Sequence, residues 1–169
     1  MKKFEGSLSA LRKGAAAAGL AVAMLGLAAC SGTAEAPAEA VEGQVPGLTV
    51  SNARLVLAPV AGNPAAVYFD LAYEGEQGLT IRKADVEGAG MAMMHDYGEY
   101  DFKVQMMEAL PVALTKGTKV QFKPGGLHVM AMEPAATLKP GGKVKVTRTM
   151  SGGTTQVFEA EVRAAGEER

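Results

Sequence analysis

The sequence has one cysteine, two histidines and no tryptophan, and aromatic residues make up 5% of its 169 positions. A single thiol excludes an internal disulfide framework, a CxxC redox pair and any zinc site built on several cysteines. Excess charge of either sign is also missing, with seventeen Lys and Arg against eighteen Asp and Glu. No stretch gathers the basic residues into a patch or stripe, so nucleic acid is not expected as a partner. Helical periodicity is absent too. With 48% apolar residues the chain is still long enough for one domain with a sizeable core. Sulfur of another kind is plentiful, in ten methionines.

Lys2, Lys3, Arg12 and Lys13 precede sixteen uncharged residues rich in Ala and Leu, Gly14 to Ala29. A positive segment followed by a short apolar run reads as an export signal over residues 1–29. Its last residues, Leu27-Ala28-Ala29-Cys30, resemble the lipobox of bacterial lipoproteins, which implies cleavage before Cys30 and acylation of its sulfur. An uncleaved membrane anchor is the alternative, weakened by the Gly, Ser and Thr that dilute the end of the run. In both cases the rest of the chain is expected on the periplasmic side of a bacterial membrane, an oxidising compartment, with its one thiol at the point of attachment. Residues 30–46 carry Ala, Glu, Pro and Gly without apolar periodicity, a flexible tether that holds the domain close to its membrane. Removal of residues 1–29 leaves thirteen basic against seventeen acidic residues, a mildly acidic exported chain.

From Gly47 to about residue 165 the pattern changes to short period-two runs broken by Gly, Pro and Asn roughly every ten residues. The spacing predicts strands over Leu48 to Leu57, Ala65 to Tyr73, Leu79 to Val86 and Tyr100 to Met106. Val120 and Phe122 alternate with lysines and Gln121, as do Val144 and Val146 with Lys143, Lys145 and Thr147, and Gln156 to Arg163 supplies a last strand. Pro124-Gly125-Gly126 and Pro140-Gly141-Gly142 read as turns, because Pro presets one dihedral and Gly admits the positive φ that follows. The expected fold is an all-β sandwich of about seven to nine strands.

Of the eight methionines beyond residue 29, seven lie between Met91 and Met132, and both histidines, His95 and His128, lie in the same window. Thioether sulfur is a soft donor suited to Cu(I), and imidazole suits copper and zinc. A thioether also stays neutral at any physiological pH and is lost only through oxidation to the sulfoxide. His128, Met130 and Met132 are spaced by two, so a strand projects them from one face about 6.6 Å apart. Met91 and Met93 lead into His95 at the same spacing, with Met106 expected from a neighbouring strand. For any one of these methionines, filling a core gap is the blander alternative. For the whole set, metal binding explains the clustering better.

These residues resemble the periplasmic copper chaperone family PCu(A)C, whose motif is a His, ten residues, a Met, twenty-one residues and then His-x-Met. His95, Met106, His128 and Met130 match that spacing without a gap. The flanking words Pro64-Ala65-Ala66-Val67-Tyr68-Phe69, Met94-His95 and Pro124-Gly125-Gly126-Leu127-His128-Val129-Met130 are similar as well, over about Leu48 to Val162. The resemblance implies a cupredoxin-like Greek-key sandwich that holds one Cu(I) through those four residues. It further implies delivery to the dicopper site of cytochrome c oxidase, often alongside a thiol-based copper chaperone. Met94, Met107 and Met132 are auxiliary candidates, able to substitute for a motif sulfur or to assist in handover.

Rival functions meet specific obstacles. A blue-copper electron carrier needs a His2Cys set, and the domain has no Cys beyond the tether. A copper enzyme is possible in principle, yet with both histidines assigned to metal no separate imidazole remains for acid–base work, so catalysis is not expected. A buffer or resistance protein that sequesters copper without delivering it stays open as the alternative.

Overall fold

The structure, a computed structural model, describes residues 43–167. The expected export signal, Cys30 and the tether as far as residue 42 lie outside the described residues. No helix occurs among those described. Ten strands follow one another: β1 (Leu48–Val56), β2 (Ala65–Tyr73), β3 (Leu79–Val86), β4 (Ala89–Tyr100), β5 (Lys103–Glu108), β6 (Val112–Leu114), β7 (Thr118–Phe122), β8 (His128–Pro134), β9 (Lys143–Met150) and β10 (Thr155–Arg163). The all-β expectation holds, with ten strands rather than seven to nine. The addition is the three-residue β6.

Hydrogen bonding runs in the order β5-β4-β8-β2-β1-β10-β9-β3-β6, with β7 also on β2. Most of these neighbours are distant in sequence, as Greek-key crossovers require. β1 and β10 run parallel, pairing Leu55 with Val162 and so joining the two ends of the domain. The sheet folds over until β3 packs against β4, and the enclosed side becomes the core. In β2 the alternation is complete: Ala65, Val67, Phe69, Leu71 and Tyr73 are buried and the residues between them are half-exposed. Phe69 stacks on Phe122 with ring centroids 4.0 Å apart and meets Phe158 edge-on at 5.0 Å.

Arg148 enters this aromatic cluster. Its guanidinium lies 4.9 Å from the Phe69 ring centre and 5.0 Å from that of Phe158, and its nitrogens have no hydrogen-bond acceptor among the described residues. Burial pushes its pKa down to about 10. The two aromatic faces supply the attraction for the charge that hydrogen bonds do not.

Both Pro-Gly-Gly turns form where the sequence marks them, with Gly126 N–H donating to the Lys123 carbonyl and Gly142 N–H to that of Lys139. The tether expected through Pro46 ends sooner. The Val157 amide donates to the Gly43 carbonyl, the Val45 amide donates to Gln156 Oε1, and Val45 is buried in the core. An apolar valine one residue before Pro46 has a hydrophobic site to fill, so the chain joins the sandwich before Gly47.

The run expected as one strand from Tyr100 to Met106 is instead a reversal. Tyr100 stands opposite Lys103, and the two turn residues Asp101 and Phe102 have φ of 50° and 58°. This is the type I′ geometry whose twist suits a two-residue hairpin. Aspartate tolerates it, a bulky ring does not, and Phe102 is 95% exposed, so no packing offsets the strain. Relief of roughly 1–2 kcal/mol of left-handed strain exceeds the roughly 0.5–1 kcal/mol of chain entropy that glycine adds to the unfolded state. Phe102→Gly is therefore expected to raise the unfolding free energy by about 0.5–1 kcal/mol in urea denaturation. A lower value contradicts the strain.

Candidate metal centre

The sequence places alternate residues of β4 and β8 on opposite faces, and the register decides which ones meet. Met91 stands opposite Met132, Met93 opposite Met130 and His95 opposite His128. Ala92, Met94, Val129 and Ala131 take the inward positions and are buried. On the far side of β4, Tyr97 faces Met106 and His95 faces Glu108 across the β5 ladder. His95, Met106, His128 and Met130 thus share one outer face, contributed by three adjacent strands.

The imidazole rings of His95 and His128 are 6.0 Å apart between centroids, with their planes at 33°. His128 Nδ1 is 2.7 Å from the Gly126 carbonyl. A carbonyl only accepts, so Nδ1 carries the proton and Nε2 is left as the lone-pair nitrogen, the arrangement common to metal-binding histidines. That carbonyl is fixed by the turn before β8, where Lys123 N–H donates to Leu127 and Gly125 takes φ of 75°. Tyr97 and Tyr68 flank His128 at centroid distances of 5.9 and 6.2 Å, leaving it 4% exposed. His95 Nδ1 is buried with no hydrogen-bond partner among the described residues. An orphaned ring nitrogen costs free energy unless an ion takes its lone pair, so it fits a metal donor.

Exposure increases outward from this wall. His95 and Met130 are half-buried and Met106 is 43% exposed, so an ion there is reachable from solvent. Among the described residues no three of His, Cys, Asp and Glu gather into a metal cluster. The donors gathered on this face are imidazoles and thioethers, and thioether sulfur is a soft donor.

The pKa of His95 is held below its ordinary 6.5, chiefly by burial and then by repulsion from His128, while Glu108 opposes both. Removing the opposing charge deepens the shift. In an NMR titration of the metal-free protein, His95 is expected to protonate below pH 6.5, and in Glu108→Gln lower still. A midpoint at or above 6.5 contradicts the environment described. Were a metal held there, protons would compete for the His95 nitrogen at a lower pH than for an unperturbed imidazole.

The auxiliary sulfurs divide. Met132 shares the outer face, one step along β8 from Met130. Met94 points inward and is 7% exposed. Met107 pairs with Asp96, on the face opposite Met106, and lies against Gly98, where a Cβ would come within 2.7 Å of its Cε. The structure brings neither Met94 nor Met107 to the imidazole pair. Sequence reasoning missed Tyr68, Tyr97, Glu108 and the Gly126 carbonyl. For Tyr97 a signal was present, since it follows His95 by two and shares its face.

A cupredoxin-like sandwich with imidazole and thioether donors gathered on one outer face defines a class, an all-β domain equipped for a soft metal ion. The family model described as "Putative lipoprotein LpqE-like" matches residues 48–162, and the chain belongs to that family, in agreement with the PCu(A)C lipoprotein resemblance of its motif. A curated relative, "Putative lipoprotein Lxx21020" of Leifsonia xyli subsp. xyli (strain CTCB07), is 29% identical over 145 residues, covering 85% of this chain and 86% of the relative. Two solved structures are similar throughout the sandwich. The apo PCuAC domain from PmoF1 is 24% identical, with a TM-score of 0.60, over 73% of this chain and 99% of that domain. The solution structure of CuI-DR1885 from Deinococcus radiodurans is 25% identical, with a TM-score of 0.55, over 74% and 83%.

Proposed function

We propose that the chain is an exported copper chaperone, not an enzyme, that binds one Cu(I) through His95, Met106, His128 and Met130. The observation that carries this is the strand register, which sets His95 opposite His128 with both motif sulfurs on the same face. The Cu(I) form of the similar Deinococcus protein supports the choice of ion. The lipoprotein names of the family and of the Leifsonia relative support a lipid anchor at Cys30, on the periplasmic side of the membrane.

Four neutral ligands leave the ion its full positive charge. Thioethers are weak donors, and Met106 stands toward solvent, so an incoming ligand displaces a sulfur first while the imidazoles retain the ion. Such stepwise exchange suits delivery. The proposed client is the apo dicopper-site subunit of cytochrome c oxidase, with a thiol-based copper chaperone as a second partner. The Cu(I)-loaded chain, mixed anaerobically with that apo domain and separated from it, is expected to have lost its copper to the client. Full retention by the chain overturns delivery and favours a copper buffer.

A further inference from the structure

The motif residues use only one end of the paired β4–β8 face. Toward the other end the same register sets Met93 opposite Met130 and Met91 opposite Met132, so two methionine rungs continue directly from the histidine rung. Paired residues in such a ladder have Cβ atoms roughly 5 Å apart, well within the reach of two thioethers converging on one ion. The rungs follow each other at about 6.6 Å. The Met91–Met132 rung is thus a separate position, two steps from the imidazoles.

These methionines are not core filler. Filler methionines exist in this protein and look different: Met94 is 7% exposed and Met150 1%. Met91 is 56% exposed, and Met93 and Met132 are half-buried on the outer face. An outward sheet face ordinarily carries charged or hydroxyl side chains, and sulfurs placed there remain open to an ion from solvent.

We infer that Met91 and Met132, with Met93 as a third donor, form a second site for a soft monovalent cation, Cu(I) or Ag(I). The inference rests on the copper reading of the neighbouring histidine site. It assigns the ladder a use that the four-residue motif does not contain: a weaker holding position next to the tighter one. A set of neutral thioethers discriminates against Cu(II), which favours nitrogen and oxygen, and against Zn(II), which favours imidazole, carboxylate or thiolate.

The test uses the full chain in a Cys30→Ser background, so that no thiol competes, with Met methyl groups carbon-13 labelled and Cu(I) added anaerobically. Two equivalents are expected, the second shifting the Met91 and Met132 methyl signals. The volume-conserving variant Met91→Leu, at an exposed position, is expected to bind the first equivalent normally and the second roughly tenfold or more weaker. In His95→Ala/His128→Ala the first site is lost while Met91 and Met132 still respond. One equivalent in the wild type, unaffected by the leucine variant, overturns the second site and leaves the chaperone reading intact. Loss of the Met91 and Met132 response in the histidine variant overturns it as an independent site. No copper bound at all overturns both.

Discussion

His128→Ala is expected to weaken Cu(I) binding by on the order of a hundredfold or more, about 3 kcal/mol. His128 is the most constrained of the four proposed ligands. Its tautomer is fixed by the Gly126 carbonyl at 2.7 Å, and Tyr68 and Tyr97 hold its ring from two sides. No other imidazole exists to replace it, because the only other histidine is His95 itself. Met130→Ala is expected to cost less, on the order of tenfold, because Met93 lies opposite and supplies another sulfur. A competition titration ranks the two, and a greater loss for Met130→Ala than for His128→Ala contradicts the assignment of the anchoring role to the imidazoles.

Phe69→Ala is expected to lower the unfolding free energy by about 4 kcal/mol, a large part of the 5–15 kcal/mol typical of a domain. Phe69 is fully buried and touches Phe122 and Phe158 from two directions. The substitution opens a cavity at the centre of the cluster. It also removes one of the two rings that face the Arg148 guanidinium, whose nitrogens have no acceptor among the described residues. The cavity and the exposed face of a buried charge act together, so the effect belongs at the upper end for such truncations. Urea denaturation with an unchanged slope measures it, and a loss below about 1 kcal/mol contradicts the packing described.

Much of the fold was legible in the chain because strands such as β2 and β9 keep period two, although β1 and β3 each break register once. Ala65 to Tyr73, rich in Val, Phe, Leu and Tyr, forms the strand expected there, and both Pro-Gly-Gly turns carry their own dihedral signals. The β4–β5 hairpin was not legible, because its turn residues are Asp101 and Phe102 and neither announces a type I′ reversal. Val45 was masked by its polar, Ala-rich surroundings, and its docking depends on Gln156, more than a hundred residues away.

For the site, the spacing of the methionines and histidines showed which residues belong to a common pattern, and the resemblance selected four of them. What spacing alone does not contain is register. Met106 and Met107 are adjacent in sequence and equal in chemistry, yet one faces Tyr97 and the other Asp96, on opposite faces of the hairpin. The inward turn of Met94, beside His95, follows from the same alternation once β4 is known to extend from Ala89 to Tyr100. Burial of His128 depends on two tyrosines from different strands, a tertiary fact with no local signature.

The central claim is that the opposed imidazoles anchor a Cu(I) ion, and the most direct measurement is an anaerobic competition titration against a chromophoric Cu(I) chelator. It compares the full chain in the Cys30→Ser background with the same chain carrying His95→Ala/His128→Ala. The expected result is that the parent withdraws a first equivalent of Cu(I) from the chelator and the histidine variant does not. If the chelator keeps all its copper against the parent, or yields as much to the variant, the imidazole pair is not a copper site.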